Sequence, residues 1–304
     1  MSRKPPHKNW ELKEDKKMKE EMKNKIKNEI KKGIIAQVRA KVPLIHNITN
    51  YVTVNDVANI LLACGGSPIM ADDEAEAEDI TSICSGLNIN IGTLNSRTIQ
   101  SMILAGKRAT SMGKVVVLDP VGAGASVLRT KTAKMLMQEI PFSVIRGNVS
   151  EIKALFDGAS STKGVDADLA DKVTEENLDE AVVFVKECSK ASGAVIAMTG
   201  AIDVVGDSEK VYAIRNGNAL MSSISGTGCM LSGVVAAYCV ANQDSLVDAA
   251  AIAVATMGLC GEIAYQRLEE TPMGGTSSYR TFIIDAMSNI SDEMLEKDIK
   301  IERR

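Results

Sequence analysis

Beyond residue 33 the chain alternates between two hydrophobic rhythms. Short runs rich in β-branched and aliphatic residues, VPLIHN, SPIMA, LNINIG, KVVVLDP, FSVIRG and AVIAMTG, are separated by longer stretches such as NSRTIQSMILAGKRATSMG and SVLRTKTAKMLMQEI. In the longer stretches the apolar residues recur at helical spacing. Strand and helix in turn predict βαβ units, hence an α/β fold with one mostly parallel central sheet and helices on both faces. In such sheets ligands are received at the carboxyl ends of the strands. One segment breaks the rhythm: IDVVGDSEKVYAIRNG reads as a hairpin, two strands around a GDSE turn. After it the pattern is helical, through MLSGVVAAYCVA, then Ala249 to Leu268, then Thr281 to Leu295. No interior linker, repeat or low-complexity segment interrupts residues 34–304, which are read as one domain.

Residues 1–33 form a separate N-terminal extension. In WELKEDKKMKEEMKNKIKNEIKK, Met18, Met22, Ile26 and Ile30 recur every four residues between lysines and glutamates, the pattern of a charged amphipathic helix. Its expected place is on the protein's own surface or on a neighbouring subunit. The segment has no continuous apolar core of a secretory signal and is too charged to span a bilayer. No later stretch offers 18 apolar residues without polar interruption, so no membrane partner is expected. A net charge of −4 and 3% aromatic residues give no footprint for nucleic acid. Six cysteines without a C-x-x-C pair, and only two histidines, argue against a zinc site or a disulfide framework and for a reducing cytoplasm.

Candidate chemistry lies at the strand ends, which finish in His46-Asn47, Met70-Ala71-Asp72, Gly92-Thr93, Asp119-Pro120, Arg146-Gly147-Asn148 and Thr199-Gly200. Any one of these is more ordinarily a helix cap; together they make the rim of a small-molecule pocket. In VLDPVGAGAS, Asp119 leaves a buried strand and enters a glycine-rich turn that permits close backbone approach. In VIRGNVSEI, Asn148 and Glu151 are spaced either to support Mg²⁺ from one helix face or to form a capping box. In SISGTGCMLSG, residues 223–233, Gly226, Thr227 and Gly228 allow the backbone to fold around an anion at a helix start. No G-x-x-x-x-G-K-[ST] occurs, which excludes the P-loop class. Cys229 stands at the mouth of that helix. There the N–H groups favour its anion, so a partly thiolate proton acceptor is one reading and a buried structural cysteine the other.

These segments carry a resemblance. HNITNYVTVNDVANILLACGGSPIM, INIGTLN, VVLDPVGAGAS, VIRGNVSEI, AMTGAIDVVGD and NGNALMSSISGTGCMLSG, in that order, resemble the hydroxyethylthiazole kinase family of the ribokinase-like superfamily, from about Val42 to the C-terminal helix. The resemblance implies a ribokinase-like fold and ATP-dependent phosphorylation of the thiazole alcohol 4-methyl-5-(2-hydroxyethyl)thiazole, with Mg²⁺ as cofactor. It implies substrate contacts by Met70, Asn47, Gly92, Thr93 and Gly226, and ATP contacts by Arg146 and Thr199. It further implies metal support by Asn148 and Glu151 with Asp119 close by, and an anion hole at Gly226, Thr227 and Gly228. Cys229 takes the position of the superfamily's usual catalytic aspartate. Relatives of this type imply a homotrimer with active sites between subunits. The segment TPMGGTSSYRTFIIDAM matches only loosely, and residues 1–33 have no counterpart. A pyrimidine kinase or a nicotinamide-hydrate dehydratase of the same fold would normally carry aspartate where Cys229 stands. A non-catalytic sensor would not need Asp119, Arg146, Asn148, Glu151 and Gly226 together.

Overall fold

All six predicted runs are strands: β1 (Leu44–Ile48), β2 (Ser67–Met70), β3 (Gly86–Asn90), β4 (Val115–Asp119), β5 (Val144–Asn148) and β6 (Val195–Thr199). They pair in parallel in the order β2-β1-β3-β4-β5-β6. The predicted hairpin, β7 (Asp203–Gly206) and β8 (Val211–Ile214), adds antiparallel to β6. A short strand β9 (Ile301–Arg303) then pairs antiparallel with β8, giving nine strands among the described residues. The structure is a computed structural model describing residues 31–156 and 172–304; the amphipathic pattern of the extension lies outside these up to Ile30.

Strand alternation sends successive side chains into two cores. On β4, Val115 and Val117 enter one, and Val116 and Leu118 the other. The first core lies under α1 (Ile34–Lys41), α2 (Val54–Cys64), α8 (Thr227–Ala241), α9 (Leu246–Glu269), α10 (Thr276–Asn289) and α11 (Asp292–Asp298). The second lies under α3 (Ala77–Ile83), α4 (Ser96–Ser111), α5 (Val127–Glu139), α6 (Val149–Phe156) and α7 (Leu178–Ser192).

Helix α8 is the central member of its layer. Every residue from Cys229 to Ala241 is buried, which is why its sequence is apolar on all sides. It settles close to the sheet because β3 begins with Gly86, where a Cβ would stand 2.4 Å from Val240. Helix α9 and its preceding turn have the length and composition of a membrane span, yet most of that stretch is buried inside the fold. A helix apolar all round is equally at home in a protein core.

The predicted helix from Thr281 to Leu295 is a pair. Helix α10 begins earlier, at Thr276, and ends at Asn289; α11 starts afresh where the Ser291 hydroxyl accepts the Met294 N–H. A serine that satisfies an otherwise orphaned N–H is a restart signal inside a run of helical spacing. Because the six parallel strands all end on one edge, and α8 begins there, that edge gathers the site.

Candidate functional site

Helix α8 opens at Gly226, whose φ of 92° is left-handed, and no side chain caps its first turn. The first N–H groups are therefore left to face a ligand, with the positive end of the helix dipole behind them. Both glycines of the G-T-G segment also make room for neighbours. A Cβ on Gly226 would stand 2.4 Å from Thr53 Cγ2, and one on Gly228 would stand 2.6 Å from Arg146 Nη1.

Arg146, from β5, lies across this helix mouth. Its Nη2 donates to Thr199 Oγ1 at 2.9 Å, and its Nη1 is 3.5 Å from Asp119 Oδ1. Asp119 ends β4 fully buried. Its Oδ2 accepts from Asn90 Nδ2 (2.9 Å) and from Ser232 Oγ (2.8 Å). Its Oδ1 faces only the guanidinium, too far for a hydrogen bond, and has no hydrogen-bond partner. Burial pushes this carboxyl up to about 6; Arg146 pulls the other way, and the Glu151 charge adds to the rise.

Cys229, the third residue of α8, is buried beside them. Asn50 Nδ2 donates to its Sγ at 3.1 Å and to Asn90 Oδ1 at 3.1 Å. Burial pushes the thiol up, and the Asp119 charge pushes it further, against hydrogen bonds from Thr53, Asn90 and Asn50 that favour the anion. This corrects the expectation of a partial thiolate: desolvation outweighs the helix terminus, and the side chain is a neutral thiol at neutral pH.

Sequence reasoning passed over Asn50, Asn90 and Ser232. A signal was present for Asn90: in LNINIG, alternation puts Asn88 and Asn90 on a face where the neighbouring strands bury valine and isoleucine. Polar residues on a buried face need partners there.

The remaining expected residues divide. Gly92 and Thr93 lie on the turn after β3: the Gly92 N–H donates to Asn90 Oδ1, and Thr93 Oγ1 accepts from the Tyr51 N–H. Arg129 ties that turn to the glycine-rich turn by donating to the carbonyls of Gly92 (2.6 Å) and Val121 (3.3 Å). Met70 is half-buried at the end of β2. Asn47 lies deeper, bonded through Nδ2 to the Ile45 carbonyl and through Oδ1 to Asn88 Nδ2, both under the rim. His46 is structural. Its Nε2 faces the Ala71 carbonyl and must donate, so Nδ1 accepts from Thr81 Oγ1; burial lowers its proton affinity and keeps it neutral.

Asn148 and Glu151 form the reciprocal capping box. The Asn148 N–H donates to Glu151 Oε2, and the Glu151 N–H donates to Asn148 Oδ1, both at 2.8 Å. Glu151 Oε1 also accepts the Gly122 N–H of the glycine-rich turn at 2.9 Å. Each carboxylate oxygen thus keeps one acceptor position, and the bare Oδ1 of Asp119 adds another. Among the described residues no group of three or more His, Cys, Asp or Glu could by itself enclose a metal ion. Such a sparse set suits Mg²⁺, which keeps several waters and takes its other ligands from phosphate oxygens.

Beside Arg146 opens a cleft of about 640 Å³. Its lining includes Thr199 and Gly228 and the apolar Met221, Leu231 and Met257. Asp203 is on its wall, with Oδ1 accepting the Gly200 N–H at 2.8 Å. Desolvation on this partly exposed wall pushes the carboxyl up to about 7, opposed by the Gly200 bond and by Arg146. The far wall comes close because α9 presents Gly258, where a Cβ would stand 2.4 Å from the Asn216 carbonyl.

The model of the hydroxyethylthiazole kinase family matches residues 35–293. A curated hydroxyethylthiazole kinase of Clostridium acetobutylicum is 58% identical over 268 residues, 88% of this chain and 97% of that protein. The solved structure of a hydroxyethylthiazole kinase from Pyrococcus horikoshii superposes with a TM-score of 0.78 at 32% identity, covering 89% of this chain and 97% of the other. A ribokinase-like superfamily protein from Enterococcus faecalis gives a TM-score of 0.54 at 12% identity over 82% of this chain and 89% of its own, a likeness of fold alone.

Proposed function

The chain belongs to the hydroxyethylthiazole kinase family, and from that premise we propose that it transfers the γ-phosphoryl group of ATP to the side-chain hydroxyl of 4-methyl-5-(2-hydroxyethyl)thiazole. The product is the thiazole phosphate used for thiamine phosphate synthesis. The observation that carries this reading is the buried Arg146 guanidinium laid across an uncapped helix start, between an apolar cleft and a polar acceptor rim.

ATP would lie in the cleft, with its base toward Met221, Leu231 and Met257 and its phosphates toward Arg146, Thr199 and the N–H groups from Thr227 onward. The alcohol would enter from the side of Met70, Gly92, Thr93 and Gly226, with Asn47 supporting the floor beneath. Its oxygen attacks the γ-phosphorus, the bond to the ADP oxygen breaks, and the transferred group is held by cationic and N–H donors. In a loose transition state the hydroxyl proton leaves late, so positioning and charge stabilisation supply most of the rate. Neutral Cys229 then orients the hydroxyl as a weak acceptor and takes no proton, which can pass to a phosphoryl oxygen. Bound with ATP, Mg²⁺ would neutralise charge between the β- and γ-phosphates, held through water by Asp119, Asn148 and Glu151.

The active form we propose is a homotrimer in the cytoplasm, with its sites between subunits. What supports this is apolar surface beside the acceptor rim: Tyr51 and Val52, 77% and 61% exposed, on the turn bonded to Thr93, and the exposed Val127 and Leu128 at the start of α5, the helix that carries Arg129. An ADP-release assay of the purified protein tests the activity, with the thiazole alcohol compared against hydroxymethylpyrimidine. Release that depends on the thiazole alcohol and on Mg²⁺ is expected; release with the pyrimidine alone, or with neither, overturns the reading. Sedimentation velocity reports the trimer.

A further inference from the structure

Asn50 has every hydrogen-bonding position of its amide engaged. Its Oδ1 accepts from the Thr53 N–H (3.2 Å) and from Thr53 Oγ1 (3.0 Å). Its two Nδ2 protons go to Asn90 Oδ1 and to Cys229 Sγ. A primary amide offers two donors and two acceptor lone pairs, so this one cannot turn over without losing several bonds at once. Asn90 is fixed in turn. Its Oδ1 takes both the Asn50 amide and the Gly92 N–H, and its Nδ2 donates to Asp119.

From this saturated junction we infer that Asn50 is a positioning residue: it donates into the sulfur of Cys229 and so fixes the orientation of the thiol against the acceptor hydroxyl. A thiol proton cannot point at an amide N–H that already points at the sulfur, so the S–H is turned away from Asn50. Of the three staggered positions open to a free thiol proton, the one toward Asn50 is thereby excluded, and the opposite face of the sulfur is kept for the hydroxyl. The proposal rests on the reading of Cys229 as the residue that meets the substrate hydroxyl.

The test is a double-mutant cycle: wild type, Asn50→Ala, Cys229→Ala and the double variant, with kcat, both KM values and Tm measured for each. Loss of a single hydrogen bond to an active-site group predicts a fall in kcat of about tenfold for Asn50→Ala in the wild-type background. In the Cys229→Ala background the same change should lower kcat by clearly less than in the wild-type background, because no sulfur remains to be held and only the bonds to Asn90 and Thr53 are lost. The KM for ATP should stay unchanged in both. Asn50→Ser serves as a second variant if Asn50→Ala folds poorly: its hydroxyl can still accept from the Thr53 N–H but cannot reach the sulfur.

A second readout is the S–H stretching band of Cys229, isolated by subtracting spectra with and without that cysteine. It should shift between wild type and Asn50→Ala. An equal fall in kcat in both backgrounds overturns the proposal, as does an unmoved S–H band. If Cys229→Ala leaves kcat intact while the band still shifts, the contact stands, the catalytic reading of the thiol has failed, and with it the positioning role.

Discussion

At the scale of single residues, the glycines at the start of α8 have a second role that the anion-binding reading of the motif does not contain. Gly226 and Gly228 do leave the helix mouth bare, but Thr53 and Arg146 occupy the space their side chains would take. Cys229 stands out in the sequence because of its place after that motif. Its protonation state is not legible there, since it is set first by burial and then by the charge of Asp119, which comes from a strand more than a hundred residues away in sequence. Cys229→Ala is expected to retain kcat to within about 100-fold, the low end of what a positioned group contributes. Cys229→Asp should match or exceed wild type by adding a proton acceptor. An inactive but folded Asp variant beside a fully active Ala variant would reduce the cysteine to packing. Asp203 makes a separate prediction. Its carboxyl is raised from 3.8 to about 7, so the folded protein is the proton-richer state between those values. Its contribution to stability therefore falls as pH rises through that window and is least favourable above it. Asp203→Asn keeps an acceptor for the Gly200 N–H, so it should raise Tm relative to wild type at about pH 8, with the gain vanishing near pH 4. Thermal melts at the two pH values check this; an equal difference at both would assign the effect to something other than the charge.

At the scale of elements, the six parallel strands and the hairpin were legible because burial on both faces leaves short continuous apolar runs between helices long enough to show their spacing. Strand β9 was not: three residues, Ile301–Arg303, carry no periodicity, and only the edge of β8 defines them as a strand. The break at Ser291 was hidden inside a continuous helical pattern, and a cap can be recognised there only once the chain is seen to turn. At Asn148 and Glu151 the two sequence readings coexist, because a capping box still leaves each carboxylate oxygen a free position. Glu151→Gln separates them. The amide retains one acceptor oxygen, so either the Gly122 or the Asn148 N–H loses its partner, at a cost of about 1–3 kcal/mol. If the carboxylate also supports the metal, kcat should fall more than tenfold beyond that modest loss, and most steeply at limiting Mg²⁺. Turnover near that of wild type at limiting Mg²⁺ would leave only the cap.

At the scale of the whole molecule, the division between kinase domain and extension can be tested by distance. Helix α8 begins at the catalytic rim and runs 15 residues, about 22 Å, to the opposite edge of the sheet. There the last residues of the extension are fastened. Lys31 Nζ pairs with Asp244 at 2.7 Å, the Lys31 N–H reaches Asp248 Oδ2 at 3.4 Å, and Lys32 approaches Glu296 at 3.8 Å. The two lysine side chains lie at an exposed surface where ion pairs are worth little, so they locate the chain without contributing much stability. Ile34, Ile35 and Val38 of α1, by contrast, enter the first core, and the family match begins at residue 35. At this end the described core begins with α1. Removing residues 1–30 should leave kcat and both KM values within about twofold and Tm nearly unchanged, since every rim and core residue named above lies after residue 33. The oligomeric state decides what remains. If the truncated protein keeps its assembly, the Met/Ile stripe of the extension serves some contact outside the kinase. If it falls apart, with kcat reduced in proportion, the stripe belongs to the interface between subunits, and 34–304 is not the functional unit.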